Sequence, residues 1–127
     1  MSFRLNKYQL EKYSRQIILK DVGALGQKKI IKSKVLIIGM GGLGCPVAEF
    51  LTRAGIGNIG IVDFDKVDLS NIHRQSLFNL KDLKKSKVIA AKNKLNKINT
   101  QTKVKCYNLR LNKINQSKII KKYDYIV

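Results

Sequence analysis

Three glycines with the spacing G-x-G-x-x-G, at positions 39, 41 and 44, form the pattern in this chain that most directly suggests chemistry. They follow residues 34–38, a lysine and four apolar side chains typical of a strand buried on both faces of a parallel sheet. Glycines at this spacing let the backbone turn tightly and approach a phosphate group, whose charge rests on the N–H groups that open the next helix. The motif therefore predicts that Gly39, Gly41 and Gly44 bind the phosphates of a nucleotide.

An acidic residue lies where a ribose-binding carboxylate would be expected. Asp63 follows Gly44 by 19 positions, and an acid about 20 residues after such a turn binds ribose hydroxyls. The alternative is an aspartate that ends a strand and caps a turn. Asp65 and Asp68 make this loop locally acidic. A metal could bind there, but we expect both carboxylates to cap backbone N–H groups of the loop.

The polar stretch 69–78 is longer than the roughly two to six residues that usually connect such elements, and loops of this kind tend to be functional. It contains Arg74, one of only five arginines in a chain with 21 lysines. A planar guanidinium is needed where phosphate is gripped at two points, so we predict that Arg74 clamps a phosphate opposite the glycine turn. The single histidine, His73, could act as a general base, but we favour a surface position.

Lys87 stands in the first turn of a predicted helix, 86–98, which Ser86 is expected to cap. The helix dipole disfavours a cation at this end, and a bound anion would relieve the conflict. The alternative is that Lys87 is one more lysine of a lysine-rich chain.

Charge and composition narrow the class of protein. The chain has 26 basic and 8 acidic residues, which give it a net charge of +18. Such a charge would suit a nucleic-acid-binding protein. The lysines are scattered and do not cluster with aromatic side chains, so we expect weak polyanion affinity and no specific nucleic acid. No apolar run of about 18 residues and no signal peptide occur, and the two cysteines are isolated. We therefore expect a cytoplasmic protein that does not enter a membrane.

Alternating strands and helices must position these residues. Apolar periodicity predicts strands over 34–38, 58–63, 103–107 and from 123 onward, and helices over 46–54, 86–98 and 114–122. A strand, a glycine turn, a helix and a strand form a βαβ unit, so the predicted fold class is α/β, a Rossmann-like, mostly parallel sheet with flanking helices. We divide the chain into an N-terminal helical segment, 1–33, and a nucleotide-binding domain, 34–127. The segment should contain two helices, and Asp21 should cap the second of them. Both helices should pack on the edge of the domain or on another subunit.

Three ordered motifs closely resemble the ThiF/MoeB/HesA family, bacterial relatives of the ubiquitin-activating enzymes. They are Tyr13-Ser14-Arg15-Gln16, the turn from Gly39 to Cys45 with its additional Gly42, and the run from Val62-Asp63 to Arg74-Gln75. The additional glycine and the Ser-Asn-x-x-Arg-Gln ending are absent from the usual dehydrogenase fingerprint. The resemblance covers essentially the whole chain.

The resemblance implies an ATP-dependent adenylyltransferase that activates the C-terminal carboxylate of a small ubiquitin-like sulfur-carrier protein, for sulfur transfer of the thiamine or molybdopterin type. It implies ATP and magnesium as cofactors, and a homodimer in which Arg15 reaches the active site of the other subunit. Catalytic roles then fall on Arg15, Arg74 and Lys87. The predicted nucleotide site comprises Gly39, Gly41, Gly42, Gly44, Asp63, Asp65, Ser70, Asn71, Arg74, Gln75 and Lys87.

Part of the family pattern is expected outside these 127 residues. The magnesium-binding aspartate of the family would follow Val127, so no metal ligand is predicted within the chain, and zinc-binding cysteine pairs would belong to the C-terminal half. We accordingly expect an incomplete domain, in which Cys45 belongs to the turn motif and is not a nucleophile. Two alternatives stay open. They are an NAD-dependent oxidoreductase, whose first βαβ unit would look the same, and a non-catalytic basic module that binds nucleotide or nucleic acid.

Overall fold

A parallel sheet forms the centre of the protein. The computed structural model describes residues 3–127, so the first two residues of the predicted segment 1–33 lie outside it. The strands, in the spatial order β3-β2-β1-β4, are β1 (Lys34–Ile38), β2 (Asn58–Val62), β3 (Lys103–Tyr107) and β4 (Tyr125–Ile126). Every pairing between neighbouring strands is parallel. The α/β, Rossmann-like prediction is therefore confirmed.

Helices precede the sheet and connect its strands. They are α1 (Lys7–Lys12), α2 (Ser14–Ile17), α3 (Gly23–Lys32), α4 (Gly44–Ala54), α5 (Lys87–Ile98) and α6 (Gln116–Ile120). Two short 3-10 turns, Leu69–Asn71 and Leu80–Asp82, interrupt the long connection between β2 and α5. The N-terminal segment thus has three helices where two were predicted, and α6 is shorter than the predicted helix 114–122.

The strands separate two apolar layers because successive side chains of a strand point to opposite faces. One layer joins alternate strand residues to α4 and α5, and includes Val35, Ile37, Ile59, Ile61, Val104, Ala48, Val88 and Leu95. The other, smaller layer joins the intervening residues to α6, and includes Leu36, Val62, Tyr107 and Ile119. Burial on both faces explains why β1 and β2 were visible as continuous apolar runs.

A buried polar network attaches the N-terminal helices to the end of α4 that lies farthest from the glycine turn. The Tyr13 side chain is buried, and its hydroxyl accepts a hydrogen bond from Nδ2 of Asn99 at 2.9 Å. The side-chain amides of Gln16 and Gln27 donate to the Ala54 carbonyl at 3.1 and 3.0 Å. Because Ala54 ends α4, these bonds satisfy a carbonyl that the helix leaves unpaired.

Two predicted helix caps are wrong. No side chain caps α3, which begins at Gly23 with a φ of +58°, so Asp21 does not have the predicted role. Ser86 does precede α5, but its hydroxyl makes no capping hydrogen bond and has no partner in the described part of the chain. A tertiary contact orients this helix start instead, since the N–H of Lys87 donates to the Asp65 carbonyl at 3.0 Å.

We expect Gly55→Ala to destabilise the protein more than Gly23→Ala. Both glycines have positive φ, +95° and +58°, so alanine strains the backbone at either position. A methyl group on residue 55 would also approach the Tyr13 ring to 2.6 Å, whereas one on residue 23 would meet nothing within 4 Å. The free energy of unfolding, measured in urea, should fall by about 1 kcal/mol for Gly23→Ala and by about 2 kcal/mol or more for Gly55→Ala. Equal losses would contradict the close packing of Tyr13 on this turn.

Candidate nucleotide-binding site

The four predicted glycines of the turn serve two different purposes. Gly39 has a φ of +98°, in the left-handed region that favours glycine, and a Cβ on Gly44 would overlap the Gly39 carbonyl oxygen. By contrast, a Cβ on Gly41 or Gly42 would have its nearest neighbours at the ordinary contact distances of 3.8 and 3.5 Å. Backbone conformation therefore explains Gly39 and internal packing explains Gly44, while the absence of side chains at Gly41 and Gly42 suits the close approach of a ligand.

Asp63 is bonded directly to the glycine turn. It is the first residue after β2, which ends one residue earlier than predicted. Its Oδ2 accepts a hydrogen bond from the Met40 N–H at 2.8 Å, and its Oδ1 accepts one from the Asp65 N–H at 2.8 Å. A carboxylate can accept about four hydrogen bonds in all, so capacity remains for ligand hydroxyls. Asp63 therefore caps a turn at the edge of the crevice, and its binding of ribose stays a prediction.

Arg74 lies beside the glycine turn, in the position that was predicted for it. Its Cγ and Cδ atoms are 3.5 and 3.6 Å from the point that a Cβ on Gly42 would occupy. The Nη1 group donates to the Ser70 carbonyl at 2.9 Å and lies 2.8 Å from Nε2 of His73. Because a guanidinium can only donate, Nε2 of His73 is the acceptor in this contact. Two neutral acceptors thus hold Arg74 at the edge of the crevice.

Ser70 and Asn71 order the turn whose Ser70 carbonyl accepts the hydrogen bond from Arg74. The Ser70 hydroxyl donates to Oδ1 of Asp68 at 2.7 Å, and Oδ1 of Asn71 accepts from the Asp68 N–H at 2.9 Å. The hydrogen bonds from the Ser70 side chain and N–H lower the pKa of the Asp68 carboxyl below its ordinary value. Asp68 therefore caps the loop as predicted, whereas the Asp65 carboxylate turns toward Lys87.

Lys87 is the only lysine in the described range 3–127 that is buried. Its side chain is 7% exposed, and its Nζ atom lies 3.9 Å from Oδ2 of Asp65, a carboxylate that is itself 54% exposed. A buried ammonium group at the first turn of α5, with one distant and largely solvated partner, is poorly compensated. This environment contradicts the alternative of an ordinary surface lysine and favours a bound anion.

Cys45 and Gln75 pack beneath the turn. The Cys45 thiol donates to the Met40 carbonyl at 3.6 Å, and burial raises its pKa to about 11. It is therefore protonated near neutral pH, in keeping with the expectation that it is not a nucleophile. Gln75 is also buried, with its Nε2 atom near Gly41, and its Oε1 atom has no hydrogen-bond partner among residues 3–127.

Arg15 is the one predicted site residue that lies away from this crevice. It is exposed on α2, and its neighbour Gln16 is bonded to Ala54 at the C-terminal end of α4. The glycine turn leads into the opposite end of that helix, whose 11 residues span about 16 Å. Arg15 is therefore held at a distance from the turn of its own chain.

A cleft of about 270 Å³ adjoins Asp63 at the carboxyl ends of β1 and β2. Six of its lining residues were not predicted as site residues, namely Ile38, Val62, Phe64, Leu109, Arg110 and Leu111. The guanidinium carbon of Arg110 lies 4.6 Å from the centroid of the Phe64 ring. The scarcity of arginine in the sequence was the one signal that could have singled out Arg110.

The acids of this region do not form a metal site. Across the described residues, no three or more His, Cys, Asp or Glu side chains are grouped so that they could hold a metal ion. Asp65, the acid nearest the crevice after Asp63, faces Lys87 instead. Within the same residues, no helix combines the length and the apolar character needed to cross a membrane.

Proteins of assigned function align with nearly the whole chain. The adenylyltransferase and sulfurtransferase MOCS3 of Drosophila virilis is 44% identical over 123 residues, which cover 97% of this chain and 27% of that protein. The sulfur carrier protein adenylyltransferase of Thermus thermophilus is 39% identical over 124 residues, which cover 98% of this chain and 46% of that protein. The chain thus spans less than half the length of either relative.

A solved structure and a family match support the same relationship. The structure of Escherichia coli MccB with ATP aligns with a TM-score of 0.77 and 32% identity, over 91% of this chain and 36% of MccB. The ThiF family matches residues 13–127. This match begins at Tyr13, the first residue of the first motif, and continues to the last residue of the sequence. The chain therefore belongs to the ThiF family.

Proposed function

We propose that this chain provides the ATP-binding part of an adenylyltransferase. The observation that carries the proposal is the position of the Arg74 side chain beside the open turn at Gly42, with Asp63 bonded to the same turn. The Arg74 cation and the unobstructed backbone at Gly42 suit a phosphate chain, and the Asp63 carboxylate suits the ribose attached to it. Support comes from the adenylyltransferase names of the relatives and from the ATP in the MccB structure.

In the proposed complex, the triphosphate lies along Gly41 and Gly42, and its charge is shared between Arg74 and the buried Lys87. The ribose hydroxyls donate to Asp63, which keeps lone pairs for them. The base then enters the cleft at Asp63, because this carboxylate lines the cleft together with the apolar side chains of Phe64 and Leu109.

The proposed reaction activates the C-terminal carboxylate of a ubiquitin-like sulfur-carrier protein, which supplies a thiamine or molybdopterin type of pathway. A carboxylate oxygen attacks the α-phosphorus of ATP, the bond from that phosphorus to the bridging oxygen breaks, and pyrophosphate leaves. Arg74 and Lys87 stabilise the negative charge that develops on the departing group. The family resemblance also implies magnesium; among the described residues no group of three or more His, Cys, Asp or Glu side chains could hold a metal ion by itself, and magnesium at a nucleotide usually needs only one or two carboxylates beside the phosphates.

We further propose that two copies of the chain form the active unit, because Arg15 is held at the wrong end of α4 to act on its own turn. The outer face of α4 is apolar, with Leu43 85% and Phe50 65% exposed. Ile18 and Leu25 of the N-terminal helices are also largely exposed. A second copy packed on this surface would cover it, and would let each Arg15 act on the other subunit's nucleotide.

Calorimetry separates this proposal from the oxidoreductase alternative. We expect the chain to bind ATP and not NAD, because Arg74 and Lys87 supply cations for a triphosphate tail. Asp63→Ala should abolish ATP binding, since it removes the ribose acceptor and the bond to the Met40 N–H together. Binding of NAD in preference to ATP would contradict the proposal.

Arg74→Ala should lower the rate of ATP–pyrophosphate exchange in the presence of a carrier protein. The assay uses the chain together with any residues that follow 127 in the natural protein. Loss of one preorganised donor to the leaving group predicts a fall of about 100-fold or more. Arg53→Ala is the matched control, because that guanidinium pairs with Glu49 at 3.0 Å on the surface of α4. An unchanged rate for Arg74→Ala would remove Arg74 from the reaction.

A mixture of two inactive variants tests whether Arg15 acts across a dimer. Arg15→Ala and Arg74→Ala should each be nearly inactive in the same exchange assay. If Arg15 serves the other subunit, a mixed dimer has one site with both arginines, and an equal mixture should regain about a quarter of the wild-type activity. Subunit exchange is checked separately, by mixing two differently tagged wild-type preparations and recovering dimers that carry both tags. A mixture that gains nothing, although its subunits exchange, would place Arg15 outside the partner's site.

A further inference from the structure

One wall of the cleft beside Asp63 contains an arginine for which the function proposed above has no role. The side chains of Phe64 and Ile38 remain 49% and 45% exposed at the cleft, so apolar surface faces solvent there. Arg110 lies across this surface, with its guanidinium carbon 4.6 Å from the Phe64 ring centroid. Exposed apolar surface beside a ligand site is typical of a surface that the ligand covers.

Two loops from different strands bring Arg110 and Phe64 together. Phe64 follows the end of β2, and Arg110 follows the end of β3. The Arg110 carbonyl accepts a hydrogen bond from Nδ2 of Asn115 at 3.0 Å. The backbone is therefore held at this point, while the long side chain reaches over the cleft.

The choice of arginine at this position has a chemical reason. A guanidinium is flat and delocalised, and it stacks on aromatic faces, whereas an ammonium group acts as a compact, strongly hydrated charge. This chain has lysine at 21 of its 26 basic positions, yet it has arginine over Phe64. A purine or pyrimidine offers the same kind of flat face as the Phe64 ring.

We propose that Arg110 is a nucleobase-stacking residue. In the arrangement observed, its guanidinium covers the Phe64 ring. When a nucleotide enters, the base packs on Phe64 and the guanidinium moves to the outer face of the base, so that ring, base and guanidinium form one stack. This inference rests on the proposed function, because it requires a nucleotide whose ribose is at Asp63.

Binding of two ligands to the full chain tests this role. We would measure the Kd of ATP and of inorganic tripolyphosphate, which has the phosphate chain but no base, for Arg110→Ala and Arg110→Lys. A stacking role predicts that both variants bind ATP about tenfold more weakly, since lysine keeps the charge and loses the plane. Binding of tripolyphosphate should be unchanged in both variants. Arg53→Ala, a surface arginine remote from the cleft, should bind both ligands as the wild type does.

A second pair of variants tests the other wall. Phe64→Leu should lose ATP affinity selectively, as the Arg110 variants do, while Phe64→Tyr should keep it because the aromatic face remains. Wild-type ATP affinity in Arg110→Lys, or equal losses for ATP and tripolyphosphate, would overturn the stacking role and leave the proposed function standing. A wild-type chain that binds no ATP would overturn both.

Discussion

The hydrogen bond from the Met40 N–H to Asp63 is the contact on which the crevice depends. It joins the turn after β1 to the loop after β2, and these are the two places where a parallel sheet brings the ends of neighbouring strands together. The second Asp63 oxygen binds the Asp65 N–H, so one carboxylate orients both loops. Every other element of the site is placed relative to this pair, including the open face of Gly42 and the cleft beyond Asp63.

The two cations of the crevice are held in ways that leave their charge available. Arg74 is bonded to a backbone carbonyl and to a neutral histidine nitrogen, and Lys87 has a solvated carboxylate 3.9 Å away. Arg53 shows the contrast, since its guanidinium donates twice to Glu49 at 3.0 and 3.1 Å. A weakly compensated cation raises the affinity of a site for an incoming anion, because little existing attraction must be broken.

The helix α4 connects two functions at its two ends. Its N-terminus follows the glycine turn and faces the proposed phosphates, while its last carbonyl is bonded to the side chains of Gln16 and Gln27. These contacts account for the structural positions of three residues of the Tyr-Ser-Arg-Gln motif. Tyr13 and Gln16 are anchored in the buried network, and Arg15 between them is directed to the surface by the same anchoring. The motif is structural at Tyr13 and Gln16, and Arg15 is exposed on the surface of α2.

The sequence by itself determined the strands β1 to β3, the glycine turn and the placement of Asp63 and Arg74. These features depend on apolar periodicity and on residue types with narrow conformational or chemical uses, which are local properties of a chain. Only the tertiary structure decided the burial of Lys87 and the pairing of Arg110 with Phe64. Each of these depends on which loops meet in space. The strand order β3-β2-β1-β4 decides which loops are neighbours, and the spacing of residues along the chain does not reveal that order. The predicted Ser86 cap failed because a tertiary contact, from the Lys87 N–H to the Asp65 carbonyl, orients the start of α5. The predicted Asp21 cap failed for a local reason, since α3 begins at Gly23 with a positive φ and the Gly23 N–H donates to the Leu19 carbonyl.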